Sequence, residues 1–249
     1  MNLNLKGKVA LVTGGLNGIG KAIALALGGE GVIVYVADIH PHNNNEADPT
    51  GSAIIYVQLD VSNAISFQEV VDRIVDAHGQ LDILVNCAGI LKTKLVTEST
   101  IEDWDQISKV NLSSIYYGMK AVMPTMIAKR YGKIINLASV SSVKGGGALG
   151  NVLYGTTKAG VVAFTQGFAR ELAQYGINVN AISPGLVDGT YMMTDVITQE
   201  IREKVTALFP MGRLPKAGDI ANLALFLCSD LSESITGQNS VIDCGFLVK

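Results

Sequence analysis

The chain has 249 residues, a formal net charge of −3, and 48% hydrophobic against 16% charged residues, a balance that suits an α/β protein whose central strands are covered on both faces. No cluster of lysines and arginines marks a surface for nucleic acid or an anionic membrane. No apolar run approaches the roughly 18 residues needed to cross a bilayer, because Glu30 and glycines break the longest one.

The segment Met1 to Gly7 lacks the basic start of a secretory signal and leads directly into the first strand. The expectation is therefore one cytoplasmic domain over residues 1–249. Cys87, Cys228 and Cys244 are an odd number without ligand spacing, so they are read as buried or incidental thiols, with no metal site.

The first predicted strand runs from Lys8 to Thr13 around the apolar run Val9-Ala10-Leu11-Val12. It enters Gly14-Gly15-Leu16-Asn17-Gly18-Ile19-Gly20, after which Ala22 to Leu27 is strongly helix-forming. Glycines at such a strand-to-helix turn let the backbone approach a pyrophosphate, whose charge is attracted by the free N–H groups and dipole at the helix start. Gly14, Asn17, Gly18, Ile19 and Gly20 are thus candidate cofactor residues. A second strand, Val32 to Asp38, ends on an acid at a spacing that suits a ribose, which adds Asp38 and Ile39. From Ile39 to Ser52, two prolines and three consecutive asparagines predict a shortened helix or a loop. His40, His42, Glu46 and Asp48 in this segment are read as solvated rather than metal-binding.

Further strands are predicted at Ala53 to Gln58, Ile83 to Asn86, Lys133 to Ala138, Asn178 to Ile182 and Ser240 to Asp243. The helices between them are Phe67 to His78, Glu102 to Lys129 with an interruption near Asn111, Tyr154 to Gln174, and Gly218 to Ser229. This alternation implies parallel βαβ units. Tyr154 and Lys158, four residues apart, share a helix face. The ammonium beneath the phenol is expected to bring an acid/base with a free pKa of about 10 towards neutrality.

In combination, these features resemble the compact single-domain branch of the short-chain dehydrogenase/reductase family. The resemblance runs from the first strand to the C-terminus. It is carried by the glycine turn, Asn86-Cys87-Ala88-Gly89, Asn111, Asn136-Leu137-Ala138-Ser139, Tyr154-Gly155-Thr156-Thr157-Lys158, Pro184-Gly185 and Ile235-Thr236-Gly237-Gln238. It implies a Rossmann-type doubly wound fold. The sheet would have seven parallel strands in the order 3-2-1-4-5-6-7, helices on both faces, and ligands beyond the carboxyl ends of the strands.

The resemblance also implies roles. Tyr154 would be the acid/base of hydride transfer; Lys158 would stabilise its phenolate and bind the nicotinamide ribose; Asn111 would bind a water linking Lys158 to solvent. Ser139 would orient the substrate oxygen. Ser141 has the family's usual distance from Tyr154, but Ser139 follows the strand-end pattern, and the glycine-rich Lys144 to Gly147 can absorb two extra residues. Asp60 and Val61 would flank the adenine, Asn86, Ala88 and Gly89 would run beside the ribose, and Pro184, Gly185 and Val187 would pass the carboxamide.

A substrate lid is expected at about residues 186–214, in which Met192, Met193, Leu208, Phe209 and Met211 can close over a ligand. Gly146 to Asn151 and Leu91 to Leu95 are expected to be further walls. Substrate contacts are assigned to Ser139, Ser141, Asn151, Tyr154 and Met193. The expected activity is oxidation of a secondary alcohol, or reduction of its ketone, on a small polar hydroxy compound; the alternatives are a 3-oxoacyl thioester reductase and a non-catalytic dinucleotide-binding regulator. NAD is the expected cofactor, because Asp38 would repel a 2′-phosphate and no Arg or Lys stands in the glycine turn or directly after Asp38. Family resemblance further implies a homotetramer.

Overall fold

The computed structural model describes residues 2–42, 53–146, 151–190 and 199–248, with the backbone alone for 199–202. Seven strands form one sheet: β1 (Val9–Thr13), β2 (Ile33–Asp38), β3 (Ile54–Gln58), β4 (Ile83–Asn86), β5 (Gly132–Leu137), β6 (Ile177–Pro184) and β7 (Asn239–Ile242). Their order is β3-β2-β1-β4-β5-β6-β7 and every pairing is parallel. The fold is the expected Rossmann-type doubly wound sheet.

Because side chains alternate along a strand, each face of the sheet builds its own core. Val9 and Leu11 of β1 join a cluster with Phe67, Val71, Met119 and Val161. Ala10 and Val12 join the opposite cluster with Ile23, Leu27, Ile220 and Leu227. The first cluster is supplied by α2 (Ala64–His78), α4 (Ser114–Lys129) and α6 (Val152–Leu172); the second is supplied by α1 (Gly18–Gly29) and α8 (Ala217–Cys228).

Three smaller helices complete the path: α3 (Ile101–Ser108), α5 (Ser141–Lys144) and α7 (Gln199–Thr206). Helix α2 starts before the expected Phe67, because the Asn63 side chain accepts the N–H groups of Ile65 at 3.0 Å and Ser66 at 3.2 Å. The interruption expected near Asn111 is a π-helical turn, Lys109–Ser113, joining α3 to α4. Of the segment expected to be a shortened helix or a loop, Asn43 to Ser52 lies outside the described residues, as do Gly147 to Gly150 and Tyr191 to Thr198 of the expected pocket walls and lid.

Candidate active site

The glycine turn leaves the carboxyl end of β1, between its sheet neighbours β2 and β4. Asn17 precedes α1 in extended geometry, and its side chain makes no cap, so the N–H groups opening the helix remain available to an anion. Gly14 has φ +64°, and a Cβ there would lie 2.8 Å from the Ala88 Cα; one on Gly20 would lie 2.2 Å from the Gly14 oxygen. Glycine is thus required for the turn to cross the end of β4 at this distance. Thr13, unremarked in the sequence except as the close of an apolar strand, fixes that crossing. Its Oγ1 accepts the N–H groups of Cys87 at 3.1 Å and Ala88 at 3.2 Å.

Asp38 ends β2 beside this turn. Its carboxylate accepts the Leu16 N–H at 3.5 Å and the His40 N–H at 3.2 Å. The next side chain, Ile39, is apolar yet 57% exposed. At the end of β3, Asp60 Oδ1 accepts the Ser62 N–H at 2.9 Å and Val61 is buried. On the nicotinamide side, the Pro184 carbonyl accepts the Val140 N–H at 3.1 Å, and Gly185 N–H donates to the Ile242 carbonyl at 2.8 Å. Thr190 Oγ1 donates to the Val187 carbonyl at 3.0 Å, and its methyl lies 3.5 Å from where a Cβ of Gly18 would stand. These residues fit a dinucleotide: an uncapped helix start for phosphates, an acid for ribose hydroxyls and an exposed apolar residue beside it.

The reacting groups gather over the ends of β4 and β5. Buried Lys158 donates from Nζ to the Leu137 carbonyl at 2.6 Å, and Nζ lies 5.7 Å from the centroid of the Tyr154 ring. A Cβ on Gly89 would be 3.3 Å from Asn111 Oδ1 and 3.7 Å from Lys158 Nζ, so glycine keeps the space between those groups open. Asn111 pairs reciprocally with Ile90: Oδ1 accepts its N–H and Nδ2 donates to its carbonyl, both at 2.8 Å. The side chain thereby ties the π turn to the end of β4.

Burial opposes the expected lowering of the tyrosine pKa. Burial pushes the Tyr154 phenol up to about 12, and the hydrogen bond with Ser139 only partly opposes this. Burial also brings Lys158 down to about 8. Removing both groups from water disfavours both charged forms, and this outweighs the attraction inferred from helical spacing.

Ser139 hydrogen-bonds with Tyr154 and its Oγ accepts the Ser141 N–H at 3.1 Å. Ser141 opens α5, whose following Gly145 and Gly146 have φ of +67° and +118°. The loop then packs against α6, where a Cβ on Gly155 would stand 2.5 Å from the Gly146 nitrogen. Asn151, just before α6, approaches Gly146 with its amide oxygen.

Other expected site residues have different surroundings. The Asn86 side chain donates to Asn136 Oδ1 at 2.9 Å, while Asn136 donates to Thr165 Oγ1 at 3.0 Å. This buried ladder joins β4 and β5 to α6. Phe209 of the expected lid is buried with Leu214 and Cys244, whereas Leu208 and Met211 are exposed. The wall at Leu91 to Leu95 is anchored through Lys92 and Lys94, which donate to Asp103 at 2.6 and 2.8 Å. Those ammonium groups hold the Asp103 carboxyl well below the usual range. Met193 lies outside the described residues.

With this geometry in hand, the comparisons with known proteins are specific. A family model described as enoyl-(acyl carrier protein) reductase matches residues 14–247. The chain belongs to the short-chain dehydrogenase/reductase family. It is similar to the 3-oxoacyl-(acyl-carrier-protein) reductase of Thermotoga maritima, with 37% identity over 99% of this chain and 100% of that protein. It is also similar to the Escherichia coli protein of the same name, with 38% identity over 98% of each. A solved structure from Agrobacterium tumefaciens, provisionally named a gluconate dehydrogenase, superposes with a TM-score of 0.89 at 31% identity, over 100% of this chain and 99% of that one. Membership makes the chain an oxidoreductase of hydroxyl and keto groups that uses a nicotinamide cofactor. Among the described residues, no helix is long and apolar enough to cross a membrane.

Proposed function

We propose that this protein reduces the C3 ketone of a 3-oxoacyl thioester to the 3-hydroxyacyl thioester. The supporting observation is its end-to-end similarity, at 37% and 38% identity, to proteins named for that reaction, together with the Ser139, Tyr154 and Lys158 cluster. The thioester alternative is thereby preferred to the small hydroxy compound expected from the pocket's small residues.

When bound, the reduced cofactor supplies the hydride that adds to the ketone carbon. Tyr154 gives its phenolic proton to the ketone oxygen as charge develops there, and the Ser139 hydroxyl donates a hydrogen bond to the same oxygen. Lys158 balances the phenolate left behind. A water over Gly89, between Asn111 Oδ1 and Lys158 Nζ, would return a proton from solvent. Glycine-turn residues Gly14 and Asn17 to Gly20 would hold the phosphates, Asp38 and Ile39 the adenosine ribose, and Asp60 and Val61 the adenine. Ala88, Gly89, Pro184, Gly185 and Val187 would supply main-chain contacts. Ser141 and Asn151 would border the substrate.

A second reading, oxidation of a small polyol or hydroxy acid, is favoured by the likeness to the provisionally named gluconate dehydrogenase. A spectrophotometric assay at the nicotinamide absorbance separates the two. The purified protein is given NADH or NADPH with a short 3-oxoacyl thioester or small hydroxyketones, and NAD or NADP with polyols and hydroxy acids. The thioester should be preferred at least about tenfold in kcat/KM. A higher value for the small compounds would establish the second reading, and tight NADH binding without turnover of any of them would point to a regulator.

We also propose a homotetramer. The ring cluster Tyr116, Tyr117, Phe164 and Phe168 on α4 and α6, with Tyr116 at 43% exposure, supplies an apolar face that a second copy can cover.

A further inference from the structure

We infer that Phe246 and Lys144 are a positioning pair that sets the distance between the loop carrying Ser139 and the segment Phe209–Met211. This inference rests on the carbonyl reductase reading. The loop Ser139–Gly146 is attached firmly at its start, where Val140 N–H donates to the Pro184 carbonyl at 3.1 Å and Ser142 Oγ donates to the Ser139 carbonyl at 2.6 Å. Its far end is two glycines of positive φ, where the backbone of Gly146 packs against Gly155 of α6. Between them, exposed Lys144 extends its ammonium to 3.9 Å above the Phe246 ring.

That ring is itself fixed. It stacks on Phe209 at a centroid distance of 5.0 Å and an interplanar angle of 23°. The Asp243 carboxylate accepts the N–H groups of Gly245 at 2.9 Å and Leu247 at 2.8 Å, closing the turn that carries Phe246. Cys244 has φ +50°, uncommon for a residue with a side chain, and its carbonyl accepts the Met211 N–H at 3.2 Å. A Cβ on Gly245 would lie 3.1 Å from Pro210. The C-terminal turn therefore holds the segment from Phe209 to Met211, while Phe246 reaches the serine loop through Lys144.

Both segments adjoin the end of β6: Val140 N–H donates to the Pro184 carbonyl, and Phe209 lies 3.5 Å from where a Cβ of Gly185 would stand. Ser139, which hydrogen-bonds with Tyr154, begins one of them, and exposed Met211 belongs to the other. Losing the ring would let the segments separate without touching the glycine turn or Asp38, so substrate binding should suffer and cofactor binding should not.

The test is steady-state kinetics of the full-length protein with its best carbonyl substrate, together with an NADH fluorescence titration and light scattering to check unchanged mass. Phe246→Ala should raise the substrate KM about tenfold and leave the NADH Kd within about twofold, and Phe246→Tyr should restore KM. Lys144→Ala should raise KM about two- to fivefold in the native background and have no further effect in Phe246→Ala. If Phe246→Ala does not fold, Phe246→Leu, which keeps apolar volume but removes the ring face, carries the same expectation. An unchanged KM, independent multiplying effects of the two substitutions, or a parallel rise in the NADH Kd would overturn the pairing. A native protein that reduces no carbonyl compound would defeat the reductase reading alone. The pairing would then be decided by amide exchange at Val143 and Lys144, which should quicken about tenfold in Phe246→Ala and is overturned if it does not.

Discussion

Burial raises the Tyr154 phenol to about 12 and lowers Lys158 to about 8, so near neutral pH the phenol keeps its proton and the lysine is charged. Tyr154→Phe keeps the ring but removes the transferable proton, so turnover should fall about a hundredfold or more while the NADH Kd stays within about twofold. Ser139→Ala should cost on the order of a hundredfold in kcat, whereas Ser141→Ala should stay within about threefold. Equal losses in the two serine variants would reverse their assignment.

Lys158 also leaves a signature on stability. Its folded value lies below its ordinary 10.5. Between about pH 8 and 10.5 the unfolded chain retains a proton that the folded chain has released, and stability contributed by this group rises with pH. At neutral pH the folded protein carries the cost of a buried ammonium. Lys158→Met should therefore have a higher urea midpoint than the native protein at pH 7 and lose that advantage by about pH 10.5. A constant difference across this range would contradict the assigned burial cost.

At the scale of elements, the strand-to-helix turn is constrained by backbone proximity. A Cβ on Gly20 would stand 2.2 Å from the Gly14 oxygen, so Gly20→Ala has to displace the turn. It should lower Tm by several degrees, a loss of about 1–3 kcal/mol, and weaken NADH binding about tenfold or more. Gly218, exposed in the first turn of α8, has ordinary φ and nothing within 4 Å of its Cβ position. Gly218→Ala should instead stabilise by about 0.5 kcal/mol, because it removes freedom from the unfolded chain. Thermal melts of both variants check the opposite signs.

At the scale of the whole molecule, Asp38 beside the glycine turn bears on cofactor choice. A 2′-phosphate bound against this carboxylate without a cationic partner would cost on the order of 2–3 kcal/mol, about a hundredfold in kcat/KM. NAD(H) should be preferred by that factor, and Asp38→Ala should narrow it. Lys21 borders, with Leu16, Asn17 and His42, a cavity of about 300 Å³ beside the glycine turn. If NADP(H) is preferred instead, Lys21 is the cation to substitute next. Light scattering at micromolar concentration should give the mass of four chains, and a monomer would refute the proposed assembly.

The amino-acid sequence by itself determined the seven strands within a few residues, the parallel winding, the glycine turn, Asp38 and the Tyr154 and Lys158 pair. Those features depend on short-range patterns: apolar runs, helix spacing and residues whose backbone or charge has a local meaning. Only the tertiary structure decided which side chains meet. The Asn86 side chain bonds to Asn136, Thr13 anchors the β4 exit, and Phe209 stacks on Phe246. Burial likewise set the direction of the tyrosine and lysine pKa shifts. Such contacts join residues far apart in the chain, and desolvation depends on everything packed around a group, so neither is written in local spacing.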